Sequence, residues 1–146
     1  WTGLESTEWS TAAITGSKNW TQSASPVDYT DGQAVLFDGT ATGYTVDLSV
    51  ADVTPSNVAF NNNGPTPYTL QGSKAITGTT ALTKSGSQTL TITNTNTYTG
   101  ETTIGNGATL QVGNGGTTGA LSASSAITND GALIFNRVER TFMDTV

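Results

Sequence analysis

Few side chains in this chain of 146 residues could do chemistry. His and Cys are both absent, which removes the commonest general base, the thiolate nucleophile and the usual ligands of zinc. Carboxylates remain. Asp28, Asp31 and Asp38 lie close in sequence and could hold calcium if a loop converged them, since a hard cation needs several oxygens. The pairs Asp31-Gly32 and Asp38-Gly39 read more naturally as turns. The stretch from Tyr68 to Gly119 offers one acid, Glu101, so a pair for acid-base work has almost no material there. Gly16-Ser17-Lys18 and Gly72-Ser73-Lys74 lack the glycine spacing of a phosphate loop. No catalytic, cofactor-binding or metal-binding residue is expected. Trp1, Trp9 and Trp20, with Tyr29 and Tyr44, could form a platform on which sugar rings stack, but closing one end of a fold is the stronger reading of three Trp residues in an irregular segment. Asn19-Trp20-Thr21 matches the N-glycosylation pattern, read here as chance.

The elements that would position these groups are legible in composition. Charged residues make up 11% of the chain and apolar ones 34%, so the polar majority is uncharged and dominated by Thr, Ser, Asn and Gly. These are poor helix formers, and Thr suits a pleated surface. The net charge is -6 with five basic residues, which leaves no basic stripe for nucleic acid. No apolar run approaches the roughly 20 residues that span a bilayer, so membrane insertion by this segment is not expected. A chain that starts at Trp1 implies a processed form, a fragment or an excised piece.

Short apolar-x-apolar units recur at Tyr68-Thr69-Leu70, Leu90-Thr91-Ile92, Leu110-Gln111-Val112 and Leu133-Ile134-Phe135. Period-two alternation makes each a half-buried strand. Turn residues such as Gly72, Gly86, Asn106-Gly107, Asn114-Gly115 and Asp130-Gly131 punctuate them. Several short strands in each repeat of about 20 to 25 residues describe a solenoid whose coils pair in parallel. The expected fold is therefore all-β, a right-handed parallel β-helix, with an antiparallel β-sandwich as the competing arrangement. Residues 1–33 are expected to be an irregular, cap-like segment containing the Trp residues, and residues 34–146 the coils of one domain. The tail from Arg137 to Val146 looks like the opening of another coil. Leu70, Leu90, Leu110 and Leu133 are expected to stack as one interior ladder, with Ile92, Val112 and Phe135 as its neighbour. Asn94, Asn96, Asn106 and Asn114 are expected at turns, where an amide can satisfy free backbone groups.

The stretch from Ala81 to Gly113 carries a more specific signal. Leu82-Thr83-Lys84-Ser85-Gly86 opens it, Leu90-Thr91-Ile92 forms its strand, Asn96-Thr97-Tyr98-Thr99-Gly100-Glu101-Thr102 its middle, and Gly107-Ala108-Thr109-Leu110-Gln111-Val112-Gly113 its close. This order resembles the passenger-associated β-helix repeat of bacterial autotransporters. Gly119-Ala120-Leu121 and Asn129-Asp130-Gly131-Ala132-Leu133 look like its continuation, and Trp9 to Ala13, Asn19-Trp20 and Val35 to Asp38 bear a looser likeness to the start of such regions. The resemblance implies a bacterial protein of the outer surface or the extracellular space. The membrane-embedded barrel that the family carries at its C-terminus has no counterpart in these residues. Three functions follow: a non-enzymatic adhesin stalk or a fibre unit that self-associates through its coil ends, a polysaccharide-binding module, and, with the least material, a fragment of a polysaccharide-degrading enzyme. No cofactor is expected.

Overall fold

A computed structural model describes residues 1–138; most of the tail expected to open another coil, from residue 139 on, lies outside the described residues. Strands, numbered in chain order, are short because turn residues interrupt the chain every few positions. A hairpin of β1 (Trp20–Gln22) and β2 (Ser25–Val27) comes first and is antiparallel. The chain then alternates between two five-stranded sheets. One stacks β3 (Ala34–Asp38), β5 (Asn57–Asn61), β7 (Ala81–Ser85), β9 (Thr102–Ile104) and β11 (Ile127–Asn129). The other stacks β4 (Thr45–Asp47), β6 (Tyr68–Gln71), β8 (Leu90–Ile92), β10 (Thr109–Val112) and β12 (Ala132–Phe135). Strand pairing between coils is parallel throughout both sheets. Parallel bridges Val53↔Ile76 and Thr95↔Ala120 hold a third side. This is a parallel β-helix, and the parallel pairing excludes the antiparallel sandwich.

Register corrects one expectation. Leu70 does not stack on Leu90; Tyr68 does, and the first ladder runs Tyr68, Leu90, Leu110, Leu133. Leu70 belongs to the second, which runs Val46, Leu70, Ile92, Val112, Phe135. Stacking follows the order of positions within each unit and not residue type: the first inward place of the Tyr68 unit holds an aromatic ring, whose hydroxyl donates to the Asp38 carbonyl at 2.9 Å. A one-place slip would turn every side chain to the opposite face, so the buried pattern pins the pairing.

The first sheet contributes two further inward ladders. Val35, Val58, Leu82, Thr102 and Ile127 form one; Phe37, Phe60, Lys84, Ile104 and Asn129 form the other. Phe37 and Phe60 stack with ring centroids 4.3 Å apart. Two buried polar residues sit in these columns. Thr102 is buried and joins a hydroxyl chain with Tyr98 at 2.7 Å and Ser125 at 3.0 Å. Lys84 is 1% exposed. Its stem packs in the column while its ammonium donates to the carbonyls of Ser85 at 2.5 Å and Gly86 at 2.9 Å, as a long cationic side chain does when its head finds acceptors. Gly86 is held at φ +75, and a Cβ there would lie 2.6 Å from the Asn62 carbonyl oxygen of the coil before. Only glycine fits that close approach.

Asn94 and Asn96 stitch three coils together. Both are buried. Asn94 donates to the Lys74 carbonyl at 3.0 Å, Asn96 donates to the Ala120 carbonyl at 3.3 Å and accepts from the Ile76 N–H at 2.9 Å, and the two amides bond to each other. A satisfied buried network of this kind fixes one geometry, and a broken one leaves several groups unpaired.

Two outcomes are expected. Asn96→Ala strands the Ile76 N–H, the Ala120 carbonyl and the Asn94 amide together, and chemical denaturation should show a loss of about 2–4 kcal/mol. Burial pushes the Lys84 ammonium down to about 8 from 10.5. Between those values the unfolded chain binds more protons than the folded one, so this group makes stability rise with pH across that window. The wild-type-minus-Lys84→Met difference in denaturation midpoint should therefore climb from pH 8 toward pH 10 and stay flat below pH 8; a flat difference throughout would contradict the buried charge.

Candidate functional site

The groups with most chemical promise gather at the end of the β-helix that begins with β3, where Phe37 would otherwise face solvent. Trp1, Trp9 and Trp20 cover it, with ring centroids 5.7, 5.3 and 5.4 Å from that of Phe37. Tyr29 closes the cluster edge-on to Trp9 at 5.5 Å. Edge-to-face geometry suits rings whose faces are electron-rich and whose edges are not. The three Trp residues are 8%, 0% and 7% exposed. Their faces are spent on one another, which corrects the notion of Trp1, Trp9 and Trp20 as an open platform for sugar stacking.

Local bonds explain how residues 1–33, read as irregular, hold this shape. The Trp1 ammonium donates to the Leu36 carbonyl and its Nε1 to the Gly43 carbonyl, each at 2.9 Å. Glu8 bridges Asp47 in parallel, with the Trp9 N–H bonded to the Asp47 carbonyl and the Asp47 N–H to the Thr7 carbonyl. The second sheet thus gains an end-piece beyond β4. Asn19 is fully buried: its oxygen accepts from the Glu5 and Ser6 N–H groups and its amide donates to Ser6 Oγ and the Glu8 carbonyl. That side chain is a structural post, so the glycosylation pattern around it is spent in the folded chain. Trp9 Nε1 is buried without a partner among the described residues.

The carboxylates do not converge. Asp28 pairs with Lys18 at 2.9 Å and accepts from the Ile14 N–H, and the Lys18 hydrogen bond leads in holding its carboxyl below the ordinary value. Asp31 accepts from the Tyr29 hydroxyl and the Thr54 N–H. Asp38 caps its own turn through the Thr40 hydroxyl and N–H. Among the described residues no group of three His, Cys, Asp or Glu is placed to hold a metal ion.

One concavity lies beside the cluster, between the β1–β2 hairpin and β3. It measures about 340 Å³ and is lined by Trp20, Gln22, Val27, Tyr29, Gln33 and Val35 among others. The hairpin over it turns through Ser23 at φ 50 and Ala24 at φ 65, a left-handed pair that costs non-glycine residues about 1–2 kcal/mol each. Gln22 and Gln33 were missed from the sequence, because no spacing singles out a glutamine; only the turn at Ser23-Ala24 could have hinted at the fold-back that brings Gln22 beside β3. The other end of the stack is unlike this one. Ile127, Leu133 and Phe135 continue the inward ladders, yet Ile127 is 43% and Phe135 67% exposed.

Against this geometry, residues 82–112 match the passenger-associated-transport-repeat family. They begin in β7 and end in β10, and so contribute two successive strands to each sheet. Over 82 residues, 55% of this chain, the sequence is 39% identical to the adhesin BmaC autotransporter of Brucella suis biovar 1 (strain 1330). The matched segment spans 2% of that adhesin's length. No solved structure matches the chain. Residues 82–112 thus match the passenger-associated-transport-repeat, within a parallel β-helix that is similar to an autotransporter adhesin over about half of its residues.

Proposed function

We propose that this chain is a non-enzymatic, extracellular stalk segment of an autotransporter-like surface adhesin. The observation that carries the reading is the position of the matched repeat: its strands stack on one another and pair in register with the coils before and after them, so the repeat acts as successive rungs of a spacer. Each rung adds about 4.8 Å along the axis. The dispersal of Asp28, Asp31 and Asp38 into separate local bonds favours a spacer over a polysaccharide-cutting site. Self-association belongs to the same reading. The aromatic cluster covers the β3 end, while Phe135 in the last described strand is 67% exposed, which supports contact between chains through that coil face.

The chain has no Cys, which supplies a clean test. Thr97→Cys, on an exposed turn of the matched repeat, introduced into the parent protein should react with a membrane-impermeant maleimide on intact bacteria. Labelling only after lysis would overturn the surface reading. In sedimentation, the chain should show a reversible dimer that Phe135→Glu weakens; a strict monomer at the highest attainable concentration would overturn the self-association alone.

A further inference from the structure

The groove beside the aromatic cluster answers to a role that a stalk does not need. Its lining combines apolar residues, Val27, Val35, Trp20 and Tyr29, with the uncharged polar Thr21, Gln22 and Gln33. Gln33 Oε1 accepts from the Thr30 N–H at 3.1 Å. That bond holds the amide in place and leaves Nε2 as a donor with no partner among the described residues. Gln22 has no side-chain partner among them either.

Backbone groups add to this set. Successive residues of a parallel strand direct their N–H and C=O to alternate sides. The Gln33 carbonyl accepts from the Ser56 N–H, toward β5, while the Leu36 carbonyl accepts from the Trp1 ammonium, on the opposite side. Ala34 shares the phase of Leu36, so its N–H and C=O face away from β5, and Ala34 lines the groove. No charged side chain lines the concavity. At about 340 Å³ it sits at the small end of ligand sites, which run roughly 300–1,000 Å³ and combine an apolar bed with a few placed polar groups.

We propose that this groove binds one ring of an uncharged saccharide, seated against the Val27, Val35 and Trp20 lining without stacking on an open indole face, and with its hydroxyls toward the two glutamines and the Ala34 backbone. Carboxamides and hydroxyls both donate and accept, so they match each other in either sense. An anionic sugar is disfavoured by a chain of net charge -6 and a wall without cations. An extended peptide adding to β3 is the rival occupant. It is the poorer fit, because strand addition draws on a run of successive backbone groups and the Trp1 ammonium already fills the Leu36 carbonyl.

The test is saturation-transfer NMR and calorimetric titration of the chain with maltotetraose, cellotetraose and mannotetraose. At least one should bind saturably, with saturation transferred from aromatic protons. Gln22→Leu and Gln33→Leu should each weaken that binding about tenfold, the loss of one well-placed hydrogen-bonding group, while Thr97→Ala on the far coil leaves it unchanged. The Gln22 side chain makes no hydrogen bond within the described residues, so its variant reports on binding even where Gln33→Leu disturbs the Thr30 turn. Absence of saturable binding to all three sugars would overturn the proposal, as would binding indifferent to both glutamines. So would protection of the Ala34 and Leu36 amides from exchange by the blocked peptide acetyl-Val-Thr-Val-Thr-amide, which would make the groove a peptide site. Failure here leaves the stalk reading standing, since maleimide labelling at Thr97 does not depend on the groove.

Discussion

Every coil of this protein must hand its backbone hydrogen bonds to the coil on either side at one fixed spacing. A single circuit of the chain satisfies almost none of its own N–H and C=O groups, so no coil is stable alone. The other features follow from that constraint. Like side chains recur at like positions because each inward residue has the same position in the next coil as its nearest neighbour. Gly86 is required where two turns approach too closely for a Cβ. Asn94 and Asn96 appear where the chain leaves the strand path and its backbone groups would otherwise be orphaned. Even Lys84 obeys the rule: it occupies an inward column only because its ammonium reaches the turn carbonyls of Ser85 and Gly86.

The same constraint makes the ends the expensive part of the fold. An uncovered last coil presents open strand edges and an apolar cross-section, both prone to unwanted association. At the β3 end the solution is a packed set of indole and phenol rings over Phe37, with the Trp1 ammonium and the Glu8 bridge occupying edge groups of both sheets. At the β12 end, among the described residues, Phe135 and Ile127 remain exposed. The molecule is thus directional along its axis, and the groove with its two glutamines belongs to the covered end.

Much of this was legible in the sequence, and the limits are physical. The apolar-x-apolar units mark the strands of the second sheet from Tyr68 onward, since a period of two survives even in three residues. The repeat at 82–112 was visible as a resemblance and is matched as such. Register was less legible: aligning Leu70 with Leu90 trusted residue type, whereas stacking equates positions, and Tyr68 fills the place a leucine fills in later coils. The burial of Thr102 and Lys84 is not legible locally, because a polar residue at an alternating site ordinarily faces water; it depends on partners, Tyr98 and Ser125 for one and turn carbonyls for the other, that lie outside any local pattern. The groove could not be seen at all. Gln22 and Gln33 both line it only because the hairpin that turns at Ser23-Ala24 lies beside β3.

The aromatic cluster also decides what light can report about this molecule. All three Trp residues lie within one contact network at one end, with the Trp1–Trp20 and Trp9–Trp20 ring centroids 5.0 and 5.6 Å apart. Indole emission, and the coupled near-ultraviolet dichroism of rings so close, therefore come from that end alone, while the amide signal sums over every coil. In a stack held by nearest-neighbour contacts, coils far from the indoles can open without changing their environment. The two optical signals watch different parts of one molecule, and a gap between them would measure how far cooperativity travels along the axis.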